Sequence, residues 1–401
     1  MTQQALKIAI LCPGHGRVCR GVETFTGELS HRLLDIRPDW RIDIFSRGPD
    51  EDISTGIRQI HVPAVDRDSL LATAYAKIGH HLGIYLRTRI DAECLLFTLA
   101  LAPRLLRSKY DLVFNQAGPF AGRFLQHKRK MDGTPFIHKT ASGYGKLEEI
   151  MARQRPDAIV ATSPFVKAWL ECVQPELRVE CIPNAVDRSA FRPYSAGELA
   201  AARNGHAIFN MKRPIVLFVG AMDPMKRPEL LISAMAKIPD ASLVMVGNGR
   251  MTNSVVRLGT TQLGDRFLHV PRISREQIAL YYNACDVYTM PSEEPFGITF
   301  LEAMACNKPV LGHLSPVQQW MFNDAGDICD CTNADEYADV IRGLLAADFG
   351  DRPLERSRTF DWSEVTPKYA ELFENGVMEY WNNGNPTLHY SNTPAGEIHG
   401  G

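Results

Sequence analysis

Short apolar runs of strand length recur along this 401-residue chain, and between them apolar positions fall three and four residues apart, the spacing of one helix face. In the first half the strand-like runs are residues 7–12, 41–45, 59–62, 112–115, 136–139 and 158–162; in the second they are 215–219, 242–246, 267–270, 287–290 and 309–312. Helical spacing covers residues 22–34, 228–237, 274–284 and 296–306. Residues 69–107 also read as helical, with Leu, Ala and Tyr at mixed spacing, which predicts an α-hairpin or an acceptor-side insertion. Strands alternating with helices are the mark of parallel sheets closed by crossover helices, so the pattern predicts an α/β fold. The series restarts after Arg192 and Pro193, which divides the chain into two doubly wound domains, residues 1–185 and 186–362. A last helix, residues 363–381, opens with the capping pattern Asp361-Trp-Ser-Glu364 and is expected to pack back on the first domain. Residues 382–401, rich in Asn, Gly, Pro and Ser, are expected to form a flexible tail. Doubly wound sheets bind ligands beyond the carboxyl ends of their strands, so two such domains place a ligand in the cleft between them.

Composition removes several function classes. Apolar residues make up 45% of the chain and charged ones 22%, an ordinary balance for a soluble protein able to bury two cores. With a net charge of -2 the chain has no general attraction for nucleic acid or anionic lipid, so recognition of an anion must be local. The nine cysteines are scattered, with no Cys-x-x-Cys pair and no histidines at zinc spacing, and Cys329 and Cys331 stand too close for a typical structural site. Reduced thiols, a cytoplasmic location and no metal requirement are the expectations. The chain starts directly on a strand-like run, without the basic and apolar regions of a signal peptide. The longest apolar stretch of the first half, residues 94–102, is too short to span a bilayer.

Candidate chemistry concentrates in Pro291-Ser-Glu-Glu-Pro-Phe-Gly-Ile-Thr-Phe-Leu-Glu-Ala-Met-Ala305. Glu294 and Glu302 straddle a helix start at which Phe296, Gly297, Ile298 and Thr299 supply unpaired amides. Carboxylates accept from vicinal hydroxyls and helix-start amides hold a dianion, which together suit a sugar diphosphate. By itself Glu302 is equally well read as a surface charge complementing the helix dipole. A second loop, from Gly220 to Pro228, brings Lys226 and Arg227 to a strand-to-helix turn, where a cation stabilises the charge on a departing phosphate without a metal; the alternative is a solvated pair. Gly249, in Gly247-Asn-Gly249, marks either a close ligand approach or a plain turn. In the first domain Gly14, Gly16 and Gly21 flank Arg17 and Arg20, a loop that covers phosphates, admits the second reactant or is simply a mobile surface loop. A dinucleotide-binding dehydrogenase would have glycine at Cys19 and an acid near Ser46 and Arg47, and neither is present. No Gly-Lys-Ser/Thr phosphate loop appears, which disfavours an ATPase.

The runs Ile182-Pro-Asn-Ala-Val-Asp187, Phe218-Val-Gly-Ala-Met-Asp-Pro-Met-Lys226, Leu243-Val-Met-Val-Gly-Asn-Gly249, Tyr281-Tyr-Asn-Ala-Cys-Asp-Val-Tyr-Thr-Met-Pro-Ser292 and the segment from Glu294 to Val310 resemble, in order and spacing, the retaining glycosyltransferases of family 4. That family has two facing Rossmann-like domains with an interdomain cleft, the GT-B fold. The resemblance implies transfer of a sugar from a UDP- or GDP-sugar to a hydroxyl acceptor with retention, the leaving phosphate assisting on the same face, with no metal and no protein nucleophile. It casts Glu302 on the ribose, Glu294 on the transferred sugar, Phe296 to Thr299 on sugar and phosphate, Lys226 as the diphosphate clamp, and Val270 and Arg272 beside the base. Two positions depart. Ala221 stands where the family commonly has Arg, which makes Arg227 its candidate replacement. Ala141 stands where the family often has a His facing the sugar's C6 hydroxyl, so a pentose or 6-deoxy donor is expected. His138 points to the opposite face and is a weak candidate, as is Gly143, whose amide could rebuild that wall. The alternatives are a non-catalytic nucleotide-sugar binding protein with an eroded site, or an epimerase or phosphorylase of the same architecture. The acceptor is open between a glycan, a lipid-linked sugar and a small natural product. Leu82, Ile84, Leu86, Leu95, Leu96 and Phe97 read as core or as contacts to lipid, with peripheral membrane contact open.

Overall fold

The computed structural model describes residues 5–17, 21–66, 69–70, 73–74, 88–140, 143–203, 205–271, 273–292 and 296–382. Strands β1 (Lys7–Leu11), β2 (Arg41–Ser46), β3 (Glu51–Ser54), β4 (Ile57–His61), β5 (Leu112–Asn115), β6 (Phe136–Lys139), β7 (Ala158–Ala161) and β8 (Val179–Cys181) form one sheet, ordered β3-β4-β2-β1-β5-β6-β7-β8. All its neighbours are parallel except β3 and β4. Strands β9 (Ile215–Val219), β10 (Ser242–Val246), β11 (Phe267–Val270), β12 (Val287–Met290), β13 (Val310–His313) and β14 (Gly326–Cys329) form a second, wholly parallel sheet, ordered β11-β10-β9-β12-β13-β14. The fold is therefore α/β with two Rossmann-like domains. In each sheet the chain builds outward in one direction and then returns to build in the other. The reversal falls between β1 and β5 in the first sheet and between β9 and β12 in the second, and such switch points open a crevice at the strands' carboxyl ends.

The central strands β9 and β10 are buried along their whole length, which explains their near-continuous apolar sequence. The first core sets the helix Gly21–Ile36 and the last helix, Trp362–Asn382, against one face of the first sheet, with Phe25 5.4 Å from Trp362 and Phe114 5.2 Å from Phe373, ring centre to ring centre. The two chain crossings between cores lie side by side. Ala185 belongs to the first core and Val186 to the second, while Phe360 belongs to the second and Trp362 to the first. The Val186 amide donates to the Phe360 carbonyl at 2.9 Å.

Three strands lie outside the sequence pattern. β3 is an exposed edge, β8 is three residues long, and β14 begins with glycine and exposes Asp327, so none presents an apolar run. The helix expected at 296–306 begins instead at Ile298, with Gly297 as its N-cap. Within 69–107 the described helix is Arg89–Arg107, opened by a reciprocal Thr88–Asp91 capping box. Phe97 is buried in the first domain and Leu95 and Leu96 are half-buried, whereas Leu82, Ile84 and Leu86 lie outside the described residues, as does the tail from 383. Among the described residues no helix is long and apolar enough to cross a membrane.

Candidate functional site

Beside the second switch point the loops leaving β9 and β10 pack directly on one another, and the second also meets the end of β11. Gly220 donates to the Val246 carbonyl at 3.0 Å, Gly247 donates to the Val270 carbonyl at 2.9 Å, and Met251 donates to the Met222 carbonyl at 2.8 Å. Gly247 has a φ of 131°, and a Cβ there would strike the Gly220 carbonyl; a Cβ at Gly249 would strike the Met222 backbone. The close approach that glycine permits at Gly249 is thus between two protein loops, and the Val270 carbonyl already serves one of them. Beyond this contact, Pro224–Lys226 forms a single 3-10 turn that ends at Lys226. Arg227 follows with φ 48° and ψ 45°, a left-handed conformation uncommon outside glycine, immediately before the helix Pro228–Met235. Lys226 and Arg227 are both half-buried.

The helix Ile298–Ala305 starts beside this turn, because β12 neighbours β9. Met290, the last residue of β12, would lie 3.6 Å through its sulfur from a Cβ on Gly220 and 3.2 Å through its methyl from one on Gly297, so one side chain separates the two loops. The Tyr288 hydroxyl ties them further, 2.7 Å from Thr299 Oγ1 and 3.3 Å from the Val219 carbonyl. Intrahelical bonding starts too late to use the amides of Ile298 and Thr299, which leaves them to other partners at the carboxyl edge. Phe296 precedes the helix and is buried, its ring 6.1 Å from Phe360, so its side chain belongs to the core. One turn inside, Glu302 is half-buried, and its Oε2 accepts from the Tyr282 hydroxyl at 2.9 Å. That bond fixes one oxygen, and burial together with the Glu302 charge pushes the Tyr282 phenol well above its ordinary value, so it remains a donor. Glu294 and Arg272 lie outside the described residues.

The first domain meets this edge at the start of its first helix. A Cβ on Gly21 would stand 3.5 Å from Ile298 Cδ1, across the cleft; Arg20 lies outside the described residues. His138 lies inside the first domain, its ring 5.3 Å from that of Phe136. It is fully buried, Nδ1 accepts from Asn115 Nδ2 at 2.9 Å, and Nε2 donates to Gln154 Oε1 at 3.2 Å. Burial holds its imidazolium off until the pH falls to about 4, and protonation of Nδ1 would break the Asn115 bond. The weak candidate His138 is therefore a packing residue. Gly143 is buried with a φ of 89°, next to Ala141 and Ser142, which lie outside the described residues.

Sequence reasoning missed Tyr282, Tyr288 and His313. The tyrosines sit inside apolar runs and look like core until their hydroxyl partners are seen. His313, at the end of β13, accepts the Cys331 amide on Nδ1 at 3.2 Å, which puts its proton on Nε2; burial and then the nearby Arg227 charge lower its pKa.

Residues 204–358 match the family model described as glycosyl transferases group 1. That match falls within the second domain. Curated relatives include D-inositol 3-phosphate glycosyltransferases of Mycolicibacterium gilvum, 31% identical over 215 residues (51% of this chain and 48% of that protein), and of Mycolicibacterium paratuberculosis, 28% identical over 218 residues (51% and 48%). The chain spans about half the length of the curated relatives it matches. Among solved structures, the sucrose-phosphate synthase of Thermosynechococcus elongatus superposes with a TM-score of 0.74 at 23% identity, covering 93% of this chain and 100% of that one. HepE of Anabaena, solved in complex with UDP-glucose, gives 0.69 at 17% identity, covering 92% and 100%. At these identities the structural likeness shows the fold, and both domains share it.

Proposed function

We propose that the chain is a retaining glycosyltransferase of family 4 that moves a sugar from a UDP- or GDP-sugar to a hydroxyl acceptor, in the cytoplasm and without a metal. The carrying observation is the second switch point, where Lys226 ends the loop after β9 and Glu302 sits one turn inside the helix after β12, on adjacent strands. Glu302, oriented by the Tyr282 hydroxyl, accepts from the ribose hydroxyls. The amides of Ile298 and Thr299 take the diphosphate at the positive end of their helix. Glu294 contacts the transferred sugar, and Val270 and Arg272 flank the base. As the bond from the sugar's anomeric carbon to the bridging oxygen lengthens, the acceptor hydroxyl approaches on the same face and passes its proton to the leaving phosphate. Lys226 meets the charge that develops on that phosphate, where a placed cation matters most. With alanine at position 141, the donor is expected to lack an ordinary C6 hydroxyl.

The test is release of free nucleotide from a panel of nucleotide sugars, with the anomeric configuration of transferred sugar read by NMR. Turnover with retention supports the reading, and strongest turnover with a pentose or 6-deoxy donor supports the donor class. Nucleotide binding without turnover of any donor would favour the non-catalytic alternative, which Ala221 and Ala141 motivate.

A further inference from the structure

Lys139, the last residue of β6, is 8% exposed, and its Nζ donates to Asn184 Oδ1 at 2.9 Å. Asn184 directly precedes Ala185, where the chain first leaves one core for the other. The same nitrogen lies over the face of Phe25, 4.4 Å from the ring centre, and Phe25 packs 5.4 Å from Trp362, just past the second crossing. One side chain of the first sheet is therefore braced on both connections between the domains, on one directly and on the other through a single ring. Phe25 belongs to the helix Gly21–Ile36, whose first residue faces Ile298 across the cleft, so the brace also backs that contact.

The surroundings of Lys139 suit an amine better than an ammonium. Burial alone pushes its pKa from 10.5 down to about 7. The charges on the elements around it are engaged elsewhere. Asp187 on the first crossing pairs with Arg32 of the first helix at 3.4 Å, and Asp361 on the second accepts the Ser363 amide at 2.8 Å. Glu23 of the first helix lies against Gly14, and Lys368 of the last helix stands near Cys181. The Cys181 thiol at the end of β8 and the Tyr369 phenol on the last helix are pushed up by burial and stay neutral. Within the sheet, His138 is bonded to Asn115 and Gln154, and β7 sets Val160 beside Lys139. A neutral amine serves Asn184 with one N–H, whereas an added proton brings a charge that the ring face offsets only in part.

We propose that Lys139 is a positioning residue that holds the two crossings, and with them the two domains, at the spacing the cleft needs, and that taking up a proton loosens this hold. The inference rests on the transfer reading for what the cleft is used for, and adds to it a control on domain spacing. When the crossings loosen, water reaches the amine and its affinity for a proton returns toward that of a free lysine. The loosened state then binds more protons between pH 7 and 10.5, so the hold is firmest at the alkaline end, weakens as the pH falls to about 7 and is level below it.

Hydrogen exchange of the Val186 amide, which donates to the Phe360 carbonyl between the crossings, reads the hold on the full chain without any donor. Corrected for intrinsic exchange and taken relative to the amides of β9, its protection should rise at least roughly tenfold from pH 7 to pH 9 in the unaltered protein. Lys139→Gln keeps an N–H for Asn184 and cannot titrate, so its protection should be level over that range. Asn184→Asp gives the ammonium a carboxylate partner that keeps the proton on, and should also level the profile, so either variant decides if the other fails to fold. A purely structural role would leave the slope in both. A slope in either variant equal to that of the unaltered chain, or no slope in the unaltered chain, would overturn the proposal. Nucleotide release from donors tests the transfer reading separately, so failure of one is not mistaken for failure of the other.

Discussion

The two domains share a topology but are held together by different chemistry. Among the described residues, every fully buried charged side chain belongs to the first domain, with Arg47 paired to Glu93, Lys128 to Asp132, and Lys139 and the neutral His138 set in its sheet. Among the described residues, the second domain's buried polar side chains are hydroxyls and amides, and its charged residues all keep some exposure. Its candidate site is made by loops in backbone contact, drawn from short sequence segments. The difference predicts where each half is vulnerable. Backbone packing and a few named side chains set function in the second domain, and pH sets stability in the first.

The largest effects should follow removal of the second domain's charged groups. Glu302→Ala and Lys226→Ala are each expected to lower donor turnover by roughly 100-fold or more, about 3 kcal/mol of transition-state stabilisation. Next, Gly247→Ala forces a Cβ into the Gly220 carbonyl at a φ of 131°. It should cost about 2 to 3 kcal/mol of stability, measured by urea unfolding, and nucleotide binding should fall with it. Wild-type stability and an intact site would show that the loops do not need that contact.

Acid should act on the first domain. His138 has a folded pKa of about 4 against 6.5 when free, so the unfolded chain binds more protons between those values. Its contribution is complete above 6.5 and fades as the pH falls toward 4, which amounts to about 2 kcal/mol lost between pH 7 and 5. Lys139 acts in the same direction at higher pH. Burial lowers its pKa from 10.5 to about 7, and stability from this group is lost as the pH falls through that window. Hydrogen exchange should show amides of the first sheet losing protection before those of the second as the pH drops, and His138→Gln should flatten the acid dependence. Uniform loss across both sheets would remove the contrast. The smallest expected change is Tyr282→Phe, which takes away the donor on Glu302 and should reduce turnover roughly fivefold, about 1 kcal/mol.

Physical reasons separate what the sequence disclosed from what it hid. The strands Ile215–Val219 and Ser242–Val246 were readable to the residue because both faces are buried and the run is apolar throughout. Gly326–Cys329 escaped notice because only Cys329 is fully buried, Asp327 is exposed and the strand starts with glycine. The helix start was misplaced by two residues because Phe296 is committed to the core beside Phe360, leaving Gly297 to cap. Glu302 was legible through its place after a helix start, but its partner Tyr282, twenty residues earlier on the neighbouring helix Arg275–Ala284, was not.

Release of free nucleotide from UDP- and GDP-sugars, compared between the unaltered chain, Glu302→Ala and Lys226→Ala, addresses the main claim most directly. Measurable release by the unaltered chain that drops by roughly 100-fold in each variant is the outcome this account requires. Equal rates in all three proteins would contradict it.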